Sequence, residues 1–322
     1  MSNQAVAPGA PVGQTDSLGA AKETDLAARR ACWWMSWGQV GADRAVTCFG
    51  GRCLDADSNA GKLDPVCWEV TAEEGAAIMW PNGKRWVYSI TYDEGCQALL
   101  DHAVPIHRRY GVPGHLALVA SQIGVPRDVP GSSYDGMQIL SRDEIHMLCD
   151  EGWGVSCHGM THAHITEENV AEEVYAGREQ LSTTLDMSVT MFCLPGNNTH
   201  HEIVKAHAAK AGYTSIMTIY DDVNRADVDL LRLCRCPLHQ EYPPPFYSAY
   251  DPYKRLHQAI DCGGWIIDYC HCPTPDTPIH PWKDCTAEQL AERFETVCRL
   301  GGDDVWLAEP NEVVKHLLEQ RS

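Results

Sequence analysis

Two stretches of the chain set chemistry-bearing side chains where apolar runs stop. The first is SITYDEG, residues 89–95, in which Asp93 and Glu94 stand side by side before a glycine. Adjacent carboxylates repel, and burying either is unfavourable unless it is paired or bound to a cation. The second is SCHGMTHAH, residues 156–164, with His158 and His162 four positions apart. That spacing puts two imidazoles on one face of a helical turn, where both reach one ion. Two imidazoles and a carboxylate leave a coordination position open for water on zinc or a similar metal. One carboxylate of the Asp93–Glu94 pair would then bind the cation, which offsets their repulsion, and the other would stay unligated as a base. The competing expectation is a solvated acidic turn with Gly95 in its left-handed position. His164 is a nearby third imidazole that could be a ligand, an outer donor or an exposed side chain.

These residues need elements to hold them. From residue 81 onward apolar runs alternate with amphipathic ones. Strands are expected at 87–92, 115–121, 153–159, 189–196, 215–221, 230–236, 265–272 and 304–308. Helices are expected at 96–111 with an interruption at Pro105, and at 141–152, 166–185, 201–212, 251–264, 286–302 and 311–320. Ser141 with Glu144 three residues later reads as a capping box. Eight strands separated almost everywhere by helices mean a parallel sheet closed into an α/β barrel. The open doubly wound alternative lacks its GxGxxG turn. Barrel enzymes build their sites at the C-terminal strand ends. Those ends carry Asp93 and Glu94, His158, the FCLPGNN turn, Asp221 and Asp222, and His271. In YCHC, residues 269–272, alternation points His271 away from Cys270 and Cys272; with the cysteines under the helices, His271 faces the interior.

The 322 residues carry 25 basic and 44 acidic side chains, for a formal charge of −19. No basic stripe is offered to a nucleic-acid backbone, and an uncharged or cationic substrate is the more compatible one. No apolar run approaches the roughly 20 residues that span a bilayer, so no membrane partner is expected. Residues 1–25 read as a disordered polar tail and 26–80 as an irregular extension rich in tryptophan and cysteine. The N-terminus lacks the basic and apolar regions of a signal peptide, which predicts a cytoplasmic protein, or an extracellular one if a native leader is missing. Most of the 15 cysteines are expected to be buried thiols, since no CxxC occurs and CRC (234–236) and CHC (270–272) are weak metal signals.

The combined motifs resemble the polysaccharide deacetylases, the NodB-homology or carbohydrate esterase family four. TYDEG (91–95) is similar to the family's first motif, Thr-Phe-Asp-Asp-Gly, and WPNGKRWVYSI to the approach to it. His158 and His162 match His-(Ser/Thr)-x-x-His, with Gly159 in place of Ser/Thr. FCLPGN (192–197) resembles aromatic-Arg-x-Pro-x-Gly, with Cys193 in place of Arg, and YCHC resembles Leu-x-His. The resemblance covers roughly residues 80–320 and implies a distorted (β/α)7–8 barrel. It implies Asp93 as base, Glu94, His158 and His162 as ligands of a divalent metal, zinc with cobalt or nickel as alternatives, and His271 as general acid. The third-motif turn, Pro195 and Gly196, would give a backbone N–H to the oxyanion. The fourth motif, Asp-x-x-Asp-Trp, is not recognisable, and Asp221 or Asp222 is the candidate substitute. Glu94 stands where the family has Asp, which moves the carboxylate by roughly 1 Å or more. The implied reaction is hydrolytic removal of acetyl groups from a carbohydrate. The alternatives are hydrolysis of small cyclic amides, as in allantoinase-like relatives, and a carbohydrate-binding pseudoenzyme.

Overall fold

The computed structural model describes residues 80–238, 253–280 and 284–322. The expected tail and all of the tryptophan-rich extension but Trp80 lie outside them. Strand β1, Trp86–Asp93, is rich in aromatic and β-branched residues and buried along its whole length, as a central parallel strand must be. Helices α1 (Leu99–His102) and α2 (Val104–Tyr110) follow it and break at Ala103, where Pro105 enters the first turn of α2. Next come β2 (His115–Leu118), α3 (Arg142–Asp150) and β3 (Gly154–Cys157). Ser141 and Glu144 close the capping box on α3. A π-helical turn at Ala171–Ala176 opens α4 (Gly177–Leu185), so the segment expected as one regular helix has two windings. The remaining elements are β4 (Met191–Cys193), α5 (His201–Ala211), β5 (Ser215–Met217), β6 (Cys236–Pro237), α6 (Lys254–Cys262), β7 (Trp265–Cys270), α7 (Ala287–Gly301), β8 (Val305–Leu307) and α8 (Pro310–Arg321).

All the strand pairs are parallel, in the order β5-β4-β3-β2-β1-β7-β6, with β8 beside the start of β1. Leu233 bridges to Met217 of β5, and Cys236 pairs with Asp268 of β7, so a short irregular segment links the two ends of the sheet. The result is the expected distorted α/β barrel. One expectation is corrected here: residues 230–236 do not form a full strand. Leu230–Arg232 is a 3-10 turn capped by Asp229, whose carboxylate accepts from the Leu231 amide.

Strand alternation divides the core in two. Trp86, Tyr88, Ile90 and Tyr92 of β1 pack outward under the helices, with Cys157, Phe192 and Cys270. Val87 points inward with Ala117, Met191, Cys193, Met217 and Ile267. The parity that sends Val87 inward sends Asp93 inward too. Asp268 faces the helices, and there Arg293 of α7 grips it through Nε at 2.8 Å and Nη2 at 3.0 Å, while the Tyr88 hydroxyl donates at 2.7 Å. That pair locks α7 onto the strand that leads to His271.

Candidate active site

Asp93 ends β1 on the interior face and is 4% exposed, so the solvated-turn alternative does not hold. Burial alone would raise its carboxyl. The Arg235 guanidinium overrides that, helped by His158 and His271, and holds it well below the usual carboxylate range. Arg235 donates through Nη1 to Oδ1 at 2.6 Å and through Nη2 to Oδ2 at 3.2 Å. Its Nη1 also reaches Thr91 at 3.0 Å and its Nε the Thr218 carbonyl at 3.0 Å. Cys193, where the resembling motif has arginine, comes within 3.7 Å of the same carboxylate through its thiol. Asp93 is thus paired with an arginine beside β6, at residue 235, and not with one at residue 193 of β4.

Glu94 leaves the strand. Its φ of 76° lies in the left-handed region, where a side chain longer than Asn or Asp is rare. That turn aims a buried carboxylate sideways, toward His158 and His162. Ligand atoms of these three residues lie within 4.8 Å of one another. His158 donates its Nδ1–H to the Cys193 carbonyl at 2.9 Å, which leaves Nε2 as the lone-pair nitrogen. His162 also has a left-handed φ, of 70°. Burial pushes the His158 imidazole down to about 4 and that of His162 to about 2, so both are neutral at pH 7. Two neutral imidazoles and a carboxylate are a donor set that fits a divalent ion such as zinc.

The loop between the imidazoles is braced by Glu173, which accepts from the Thr161 hydroxyl at 2.5 Å and from its amide at 3.1 Å. This accounts for Gly159. Its φ is +87°, where any side chain is strained, and a Cβ there would meet Glu173 Oε2 at 2.7 Å, so Ser or Thr would have to displace the carboxylate that braces the loop.

His271 lies one residue past β7 and lines the same cavity, of about 150 Å³, together with Gly196. Its ring stacks on Tyr134 at 4.9 Å and 9°, and its Nδ1 lies 3.5 Å from Asp284 Oδ1. Asp284 also accepts from the Tyr134 hydroxyl at 2.8 Å and from the His271 amide at 3.1 Å. Burial would raise the Asp284 carboxyl, but the bonds from His271 and Tyr134 lower it below its ordinary value. The Pro195 carbonyl accepts from His200 Nε2 at 2.7 Å, and His200 Nδ1 lies 3.2 Å from His164 Nδ1. His164 therefore braces the third-motif turn.

Asp221 and Asp222 are not in the cavity wall, which corrects their candidacy. Arg255 of α6 holds both, at 2.9 Å from Asp221 and 3.5 Å from Asp222, and Asp222 is largely exposed. Asp284 takes the place beside His271 instead. The sequence reading also missed Arg235, Tyr134 and Arg127. Arg235 sits inside the CRC that drew attention only for its cysteines. Arg127 and Tyr134 lie in the non-periodic 123–140 loop, and nothing in its pattern singles them out.

Residues 81–216 match the sequence model of the polysaccharide deacetylase family. No curated protein sequence matches the chain. Among solved structures, one described as Puue allantoinase is similar over 76% of this chain and 95% of its own, at 11% identity and a TM-score of 0.51. A protein of Mycobacterium smegmatis, provisionally named a polysaccharide deacetylase, matches over 76% and 94% at 18% identity and a TM-score of 0.49. The Streptococcus pyogenes deacetylase PplD, in complex with acetate, matches over 53% and 69% at 17% identity and a TM-score of 0.39. The first of these likenesses supports the fold. Residues 81–216 thus resemble the polysaccharide deacetylase family in sequence, over the stretch that holds the first three motifs.

Proposed function

We propose that the protein is a metal-dependent hydrolase that removes acetyl groups from an N- or O-acetylated carbohydrate. One observation carries the reading: Glu94, His158 and His162 converge within 4.8 Å beside a buried, ionised Asp93, with His271 in the same cavity. A divalent ion held by Glu94, His158 and His162, zinc by its donor set, would supply Lewis acidity and activate water at neutral pH. Asp93 is the base that takes the proton from attacking water, and Arg235 both orients it and keeps it ionised. His271 gives a proton to the departing amine or alcohol, its ring held by Asp284 and by the face of Tyr134. The backbone N–H of Gly196, which lines the cavity in a turn tied down through Pro195 and His200, would donate to the developing oxyanion.

Acetate release from acetylated chito-oligosaccharides, by protein dialysed against chelator and then resupplied with zinc, tests this. Release that depends on added metal is expected. Absence of release from any acetylated sugar with the metal bound contradicts it. A second reading, hydrolysis of a small cyclic amide, is favoured by Arg127, whose guanidinium contacts Glu94 and could supply positive charge without a metal. Ring opening that survives the chelator would select that reading.

A further inference from the structure

Arg127 carries an inference that rests on the hydrolytic reading and deepens it. The side chain is buried in the cavity wall, and its guanidinium pairs with Glu94, the same carboxylate assigned to the metal. Its Nε has no hydrogen-bond partner among the described residues. The cavity wall contains two carboxylates, Asp93 and Glu94, and Asp93 is engaged by Arg235. A cation on Glu94 draws on the same negative charge that balances Arg127. A buried guanidinium without a counter-ion is strongly unfavourable, and a divalent ion adds two more positive charges beside it. The loaded cavity is then cationic, although the chain as a whole carries −19.

We propose that Arg127 is an anion-binding subsite and that the substrate carries a carboxylate near the bond that is cleaved. The guanidinium offers a carboxylate a planar fork of N–H donors. In the metal-free state Glu94 takes the position of that carboxylate. Arg127 stands with Ser132 and Tyr134 on the 123–140 loop, outside the strands that carry the base and the ligand set. Recognition of the anion is thereby separated from the hydrolytic groups, and it reverses the expectation of an uncharged or cationic substrate drawn from net charge.

The test is calorimetric titration of the zinc-equilibrated full chain with glucuronate and with glucose, for the wild type and for Arg127→Met. Neither sugar has an acetyl group, so binding is read without turnover. Near-UV circular dichroism checks the fold, and Arg127→Gln replaces Arg127→Met if the latter does not fold. The wild type should bind glucuronate at least about tenfold tighter than glucose, and the variant should lose most of that advantage. Equal binding of the two sugars by the wild type, or an undiminished advantage in the variant, overturns the subsite while zinc binding stands. A wild type that takes up no zinc removes the metal-dependent reading, and the subsite argued from it falls with it.

Discussion

Asp93 and Arg235 form a buried ion pair whose two halves do different work. Removing the carboxylate's charge in Asp93→Asn removes the proposed base, and a positioned base is worth roughly 10²–10⁴-fold in turnover. That loss is expected with zinc affinity retained, because Asp93 is not assigned to the metal; full activity in the variant would remove the assignment. Removing the other half leaves Asp93 charged and unpaired. Arg235→Met should therefore lower the unfolding free energy by about 3–5 kcal/mol in denaturant titration, and Asp93→Asn placed on top should restore part of it. A purely additive double variant would argue against the pairing. The motif departure at Cys193 has a local meaning in this light. The thiol lies beside Asp93, while the charge arrives from residue 235.

At the scale of elements, the site is an exercise in strand parity. Asp93, His158, Cys193 and His271 all fall on the inward register of their strands, and the apolar alternation in the sequence was enough to place His271. Parity does not place Glu94 or His162, which depend on left-handed turns after the strands end. Arg235 was not legible either, because a 3-10 turn precedes it and a strand of only two residues follows it, too little to show a period. Arg127, Tyr134 and Asp284 come from loops, where side-chain direction has no period to reveal it. The α7–β7 contact gives an element-scale prediction. Asp268 is fully buried and depends on Arg293 and Tyr88. Arg293→Met should destabilise the fold by about 3–5 kcal/mol in denaturant titration. It should also impair turnover through the altered path to His271. A change below about 1 kcal/mol would show that the pair does not anchor the helix.

For the whole molecule, the parallel order of strands and helices was readable because each unit carries its own apolar rhythm, whereas barrel closure through Leu233 and Cys236 was not. Buried imidazoles should govern the acid limb of stability. Burial pushes His107 down to about 3, while its Nδ1–H donates to the Val112 carbonyl and its Nε2 accepts from the Tyr92 hydroxyl at 2.7 Å. An ordinary histidine titrates near 6.5, so the folded state disfavours the proton. The stabilisation is complete above about pH 6.5 and is lost as pH falls toward 3, by up to about 1.4 kcal/mol per pH unit for each such group. Unfolding free energies measured from pH 7 to pH 4 should fall, and the fall should be shallower in His107→Gln; a flat profile would contradict the buried neutral imidazole. The account as a whole rests on three side chains from two distant segments meeting at one ion. Equilibrium dialysis against zinc, with bound metal counted per chain, tests this most directly. The account predicts one zinc in the wild type and in Asp93→Asn and none in His158→Ala; no zinc in the wild type, or a full complement in His158→Ala, would contradict it.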